Sequence, residues 1–280
     1  MREIDTGQIV QAVKEMCLEA NYDLGPDMMR AFGQALEREE SPIGQEVLRQ
    51  LIENANIARQ ERVPMCQDCG VAMVFAEIGQ DVHIAGGYFL DAINEGVRQG
   101  YQDGYLRKSI LNDPIHRVNT KDNTPAVIHL EMATGDRLKL IVAPKGGGAE
   151  NMIQMRMLKP SDGVEGIKRL VLETVAKAGP NPCPPIILGV GIGGTFEKAA
   201  LISKKALFRK IGTPHPDPDI AALEKDLLEA VNALGIGPLG FGGRVTALAV
   251  HAEVFACHLV SLPVAVSINC HAHRHQERIL

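Results

Sequence analysis

The run of apolar and polar positions divides the chain into a helical opening and a longer mixed stretch. Ile9, Val10, Val13, Met16, Cys17 and Ala20 fall on one stripe at helical spacing, and PIGQEVLRQLIENANIARQE repeats the pattern over residues 42–61. The first 60 residues therefore predict helices, with Cys17 as a core thiol. Alternation from Val71 to Ile84 predicts strand, and GGYFLDAINEGVRQGYQDGYLRKSI predicts a helix that runs out into a polar loop. In PAVIHLEMATGDRLKLIVA two alternating runs flank Thr134, Gly135 and Asp136, which predicts a tight hairpin. A helix over 164–178, a buried strand in PPIILGVG, and helices over 195–211 and 219–234 complete the reading. The last of these presents Leu223, Leu227, Leu228, Val231 and Leu234 on one face and stops at Gly235. The expected class is α+β: a helical N-terminal segment, residues 1–60, followed by a mixed α/β region with its reactive groups on loops. GTPHPDPD and GIGPLGFGG are too short to part domains, so a single domain over 1–280 is expected.

Composition narrows the function classes. A chain of 280 residues that is 45% apolar can bury a sizeable core. Its net charge of -5, with no basic block, excludes a nucleic-acid surface. No apolar run approaches the roughly 18 residues of a membrane span, and the acidic start has no apolar leader segment. A cytoplasmic protein that binds small molecules or other proteins is expected. Its six dispersed cysteines do not form the framework of a secreted, disulfide-stapled domain.

Five stretches could carry chemistry. In GVGIGGT, Gly189, Gly191 and Gly194 fit GxGxxG between a strand and a helix, the setting of a dinucleotide site. That motif also wants a second strand closing on an acidic residue about 20 residues on, where this chain reads KKALFRKIGTPHPDPD. Close packing is the other reason for such glycines. PKGGGAEN sets three glycines beside Lys145, either a plain loop or one whose N–H groups approach an anion. GPNPCPPIILG holds Cys183 between prolines at the mouth of a strand, a rigidity that suits a ligand. VSINCHAHRHQERIL places Cys270 at a strand end before His271, His273, Arg274 and His275, and is either a reactive site or a frayed tail. VPMCQDCGVAM packs Cys66, Asp68 and Cys69 into four residues, open to a redox pair, half a zinc site, or another use.

Cys66, Cys183 and Cys270 lie in loops far apart in sequence, which suggests one composite metal site. Structural zinc would want paired short spacings that Cys183 and Cys270 lack. Three thiolates instead suit an iron-sulfur cubane with one iron free of protein sulfur. Two other readings stand beside this one: a dinucleotide-dependent oxidoreductase, and a zinc-stabilised non-catalytic subunit using Cys66, Cys69, His271 and His273.

Taken in order, PMCQDCG, GYLRKSI, PKGGGAEN, NPCPP, GVGIGGT and NCHAHR resemble the iron-sulfur alpha subunit of class I fumarate hydratases and the related tartrate dehydratases. The resemblance covers nearly the whole chain. It implies an oxygen-sensitive 4Fe-4S cluster on Cys66, Cys183 and Cys270, and a hydro-lyase reaction on a small dicarboxylic acid, fumarate/malate first and tartrate second. Carried over by motif, Gln67, Asp68, Arg107, Gly146 and Asn151 would bind substrate, and Asp68 and His258 would be catalytic. His258 on its own sits in apolar VFACHLVSLPVAV and reads as a core histidine; the resemblance puts it in the pocket. The family motif usually has Thr where Cys69 stands, which leaves Cys66 as the ligand. No residue clearly supplies the base that the reaction needs. Single-chain members continue into a further domain at the point where this chain stops. The expectation is therefore a hetero-oligomer in which a separate beta subunit completes the active site and docks a C-terminal tail that would otherwise fray.

Overall fold

The computed structural model describes residues 2–280. The order begins β1 (Arg2–Asp5), α1 (Thr6–Tyr22), α2 (Pro26–Arg38), α3 (Pro42–Glu61), β2 (Val71–Gly79), β3 (Val82–Ala85) and α4 (Phe89–Asp103). It continues with β4 (Val127–Ala133), β5 (Leu138–Lys145), α5 (Gly147–Glu150), β6 (Gln154–Leu158) and α6 (Gly163–Ala178). It ends with β7 (Ile186–Gly193), α7 (Phe196–Ala206), α8 (Pro218–Asn232), β8 (Ala247–Phe255), β9 (Leu262–Asn269) and β10 (Gln276–Ile279). No described helix is long and apolar enough to cross a membrane. The mixture of helices and mixed sheets is the α+β class expected.

The chain forms two compact units. Unit one takes the residues up to Gly25, then Asn54–Gly147 and Arg274–Leu280; unit two takes Pro26–Glu53 and Gly148–His273.

In unit one the strand order is β10-β5-β2-β4, with β2 parallel to β4 and antiparallel to β5. Asp5 caps α1 by accepting the Gly7 N–H at 2.7 Å. The predicted stripe of α1, Ile9, Val13, Met16 and Cys17, then buries against Ile93 and Val97 of α4 and Leu138 and Leu140 of β5. The hairpin expected around Gly135 does not form. β4 and β5 are both strands, but β2 lies between them and pairs with each, so the 134–137 link passes over the end of β2 instead of turning tightly. Gly79 makes that crossing possible, because a Cβ there would sit 2.3 Å from the Gly135 carbonyl oxygen. Local alternation cannot show an inserted strand.

The C-terminal tail is a second correction. Residues 276–279 are β10, the antiparallel edge partner of β5, and Arg278 bonds Glu15 and Glu19 of α1. The tail is docked on its own chain.

Unit two has strand order β6-β9-β7-β8, with β7 parallel to β8 and antiparallel to β9. Leu188, Val190 and Ile192 of β7 bury with α6 and α8 residues such as Val171, Leu227 and Val231. The alternate positions of β7 face α7. A Cβ on Gly189 would lie 2.0 Å from the Ser203 carbonyl oxygen and one on Gly191 2.1 Å from that of Ala199. These glycines seat a helix flush on a strand. Both lie inside β7 and not at a turn that could cradle a pyrophosphate, so the dinucleotide reading falls.

Candidate functional site

Strand register builds the first cluster of site residues, in unit one. Val71 at the start of β2 pairs with Lys145 at the end of β5, so the residues before Val71 and after Lys145 meet. Entry to the Cys66 loop is fixed by the Met65 N–H on the Asn21 carbonyl at 3.0 Å and by Asn54 Nδ2 on the Met65 carbonyl at 2.8 Å. Cys66 is half-buried; its Sγ accepts the Asp68 N–H at 3.4 Å and stands 3.5 Å from Gln67 Oε1. Asp68 ties the two sides together. Its Oδ1 accepts the Gly70 N–H at 2.9 Å and its Oδ2 accepts the Gly147 N–H at 2.8 Å. A Cβ on Gly146 would approach Oδ2 to 3.3 Å, so the glycine gives the carboxylate its room.

Arg107 is exposed and follows the buried Leu106 on a strip that is neither helix nor strand. Its N–H donates to Cys69 Sγ at 3.2 Å. Unit one thus brings together Cys66, Gln67, Asp68, Arg107 and Gly146 of the residues expected from the sequence.

The second cluster lies in unit two. Ile187 of β7 pairs with Asn269 of β9, so Cys183 just before β7 and Cys270 just after β9 share one end of the sheet. The His271 N–H and its ring Nδ1 both meet the Cys183 carbonyl oxygen, at 3.3 and 3.0 Å. Asn269 Nδ2 and His273 Nδ1 form a buried pair at 2.7 Å. Asn151 is exposed just beyond α5. His258 is exposed as well, on the loop after β8, where its Nδ1 accepts the Val260 N–H at 3.3 Å. It is not the core histidine that its apolar neighbours suggest, because Leu259 and Val260 are themselves exposed.

Comparison with known proteins bears on both clusters. The profile of the family Fumarate hydratase (Fumerase) matches residues 10–279. The chain belongs to the fumarate hydratase (Fumerase) family. Its class is therefore that of a hydro-lyase. It is 44% identical, over 95% of both chains, to a Methanocaldococcus jannaschii protein with the provisional name L(+)-tartrate dehydratase subunit alpha. It is 33% identical to L(+)-tartrate dehydratase subunit alpha of Escherichia coli O157:H7, over 89% of this chain and 82% of that one, and 32% identical over the same shares to the Escherichia coli K12 protein of that name.

Within this Fumerase chain the cysteines sort by environment. Cys17 is wholly buried, and burial pushes its thiol up to about 12. Burial also raises Cys69, against the Arg107 N–H that lowers it. Neither environment favours a thiolate. Cys66, Cys183 and Cys270 are half-buried or exposed, and all are reduced thiols. The N–H bond onto Cys66 Sγ suits a ligating sulfur, since such bonds stabilise cluster thiolates. Three thiols not sealed in the core are of the donor type that an iron-sulfur group takes. In the zinc alternative, Cys69 is already engaged with the Arg107 N–H and His273 with Asn269.

Sequence reasoning misses Arg274, Tyr101 and Asn123 as members of the first cluster. Arg274 is buried; its Nη2 bonds the Asp68 carbonyl and its Nε donates to the Pro144 carbonyl at 3.4 Å. Its place as the basic residue shortly after Cys270 is its only signal. Tyr101 and Asn123 act on backbone groups, and nothing in their neighbours announces that.

Proposed function

We propose that this chain is the alpha subunit of a two-subunit iron-sulfur hydro-lyase that reversibly hydrates fumarate to (S)-malate in the cytoplasm. One observation carries the reading: the Cys66–Gly70 loop joins a half-buried thiol to a carboxylate clamped on a glycine turn, with Arg107 fastened to the same loop. Cys66, Cys183 and Cys270 would hold a 4Fe-4S cluster, which when bound supplies a Lewis acid for the substrate hydroxyl.

The chain's own groups do the rest. The Arg107 guanidinium pairs with one substrate carboxylate, and its exposure leaves it able to reach a ligand. Gly146 and Asn151 offer small, polar surroundings for the second carboxylate, and Gln67 stands beside Cys66 to orient the substrate. Asp68, its oxygens each holding one backbone N–H, keeps further lone pairs for a substrate proton. His258 acts from its exposed loop in the proton transfer. The remaining acid-base group comes from a beta subunit, a reading supported by the words "subunit alpha" in the relatives' names.

Those same names favour a second reading, dehydration of L-tartrate to oxaloacetate. Anaerobic co-expression with the candidate beta chain, iron and sulfide analysis, and assays with fumarate, (S)-malate and both tartrates separate the two. Fumarate/malate turnover by the complex and none by either chain alone is expected. Faster turnover of L-tartrate would install the second reading, and a complex without iron and sulfide would end both.

A further inference from the structure

The strip that carries Arg107, residues 105–110, lies outside every helix and strand, so no regular ladder sets its position. Backbone bonds hold its two ends, the Leu106 N–H on the Tyr101 carbonyl at 3.0 Å and the Thr120 N–H on the Ile110 carbonyl at 2.9 Å, and side chains hold what lies between. The Cys69 thiol accepts the Arg107 N–H at 3.2 Å and turns its own hydrogen to the Cys66 carbonyl at 3.8 Å. Two residues further on, the Ser109 N–H donates to Asn123 Oδ1 at 2.7 Å. The same Asn123, with no exposed surface and a left-handed φ of 63°, donates Nδ2 to the Gly70 carbonyl at 3.1 Å. Tyr101 is fully buried, and its hydroxyl meets the Cys69 and Gly70 carbonyls at 2.6 and 3.2 Å, which locks the loop that Cys69 and Asn123 grip.

The Cys69 and Asn123 links join the loop of Cys66 and Asp68 to the strip of Arg107, and the Tyr101 links tie that loop to α4. A buried residue in a left-handed conformation is held there by its surroundings, and both polar ends of Asn123 are spent on the two segments. A buried thiol is one of few small side chains that can accept from one segment and donate to the other.

We propose that Cys69 and Asn123 are positioning residues that fix Arg107 relative to the Cys66–Asp68 loop. This rests on the reading of Arg107 as the partner of a substrate carboxylate. Loosening the brace moves the guanidinium and takes from Cys66 only a long bond to its carbonyl, leaving its sulfur in place, so the loss falls on carboxylate binding and leaves iron content alone.

The test uses the assembled, iron-loaded complex and succinate, a saturated dicarboxylate that cannot be hydrated. Calorimetric Kd for succinate, KM and kcat for hydration, and iron content are measured for Cys69→Ala, Cys69→Thr, Asn123→Asp, Arg107→Ala and the Cys69→Ala/Arg107→Ala double variant. Cys69→Ala should raise both Kd and KM by about tenfold, with kcat within about twofold and iron unchanged. Cys69→Thr should restore both constants, because its hydroxyl also donates and accepts. Asn123→Asp keeps the acceptor for Ser109 but turns an oxygen on the Gly70 carbonyl, and should move Kd and KM in the same direction as Cys69→Ala. With Arg107 already removed, Cys69→Ala should weaken succinate binding no further. Additive effects, or lost iron with unchanged Kd, would overturn the proposal while leaving Arg107 in its role. Wild-type succinate binding by Arg107→Ala would overturn the role of Arg107, and the brace proposal with it.

Discussion

Replacing Asp68 by asparagine takes one acceptor from a carboxylate that holds two turns. Oδ1 carries the Gly70 N–H at 2.9 Å and Oδ2 the Gly147 N–H at 2.8 Å. A carboxamide keeps a single oxygen, so one of those N–H groups must face an NH2. A hydrogen bond to a charged acceptor contributes about 1.5–3 kcal/mol. Asp68 is only half-buried, so water reaches the stranded donor and brings the loss to the bottom of that range or just below it, about 1–1.5 kcal/mol. At about 2–4 °C per kcal/mol for a chain of this size, Asp68→Asn should melt some 2–6 °C below the wild type. Asp68→Ala, which loses both acceptors, should fall about twice as far. Scanning calorimetry of the metal-free chain reads this stapling of the turns by itself. Turnover of the loaded complex then reads the chemistry: a carboxylate that also moves a proton should cost about a hundredfold or more in kcat when made an amide. Wild-type melting in the asparagine variant would refute the stapling, and wild-type turnover would remove Asp68 from the catalytic role.

Cys183→Ser should leave anaerobically prepared complex without its cluster absorbance, whereas Cys17→Ser and Cys257→Ser should keep it, since Cys17 is sealed in the core and Cys257 bonds the Ser261 carbonyl of its own loop. His251 is buried on β8, and burial, then the Arg209 charge, push its ring down to about 4. The unfolded chain, with an ordinary histidine near 6.5, binds that proton first, so the contribution is whole above about 6.5 and drains away as pH falls toward 4. Urea unfolding should show about 2 kcal/mol lost between pH 7.5 and 5 from this group, and His251→Gln should flatten the slope; an unchanged slope would contradict the burial argument. Gly189→Ala forces a methyl onto the Ser203 carbonyl and should destabilise unit two by about 1–3 kcal/mol, measured as a lower denaturation midpoint.

Elements with short-range causes are legible in the sequence itself. The stripe of α1 and the run over α3 appear at their predicted positions, and α6 and α8 differ from prediction by a residue or two at their ends. The helix expected over 195–211 ends at Ala206, where the chain turns through successive short backbone bonds. What fails is non-local. Nothing near Thr134–Asp136 says that β2 occupies the space between β4 and β5, and nothing in QERI says that it is an edge strand of a sheet begun far earlier. The site divides in the same way. The ordered motifs point to Cys66, Cys183 and Cys270, whereas Arg274, Tyr101 and Asn123 bond main-chain carbonyls, a job that many polar residues can do and that leaves no pattern.

The edge position of β10 also dictates a timetable. Between β5 and β10 the chain must complete the whole stretch from Gly148 to His273. Until then β5 presents an unpaired edge, the kind of template that recruits stray strands during synthesis. Arg274 stands immediately ahead of β10, so its grip on the Asp68 carbonyl can form only when that strand docks. The loop bearing Cys66 is translated early and finished late. Under the proposed role of Cys66, a newly made chain that took up iron before release from the ribosome would do so on an unset loop.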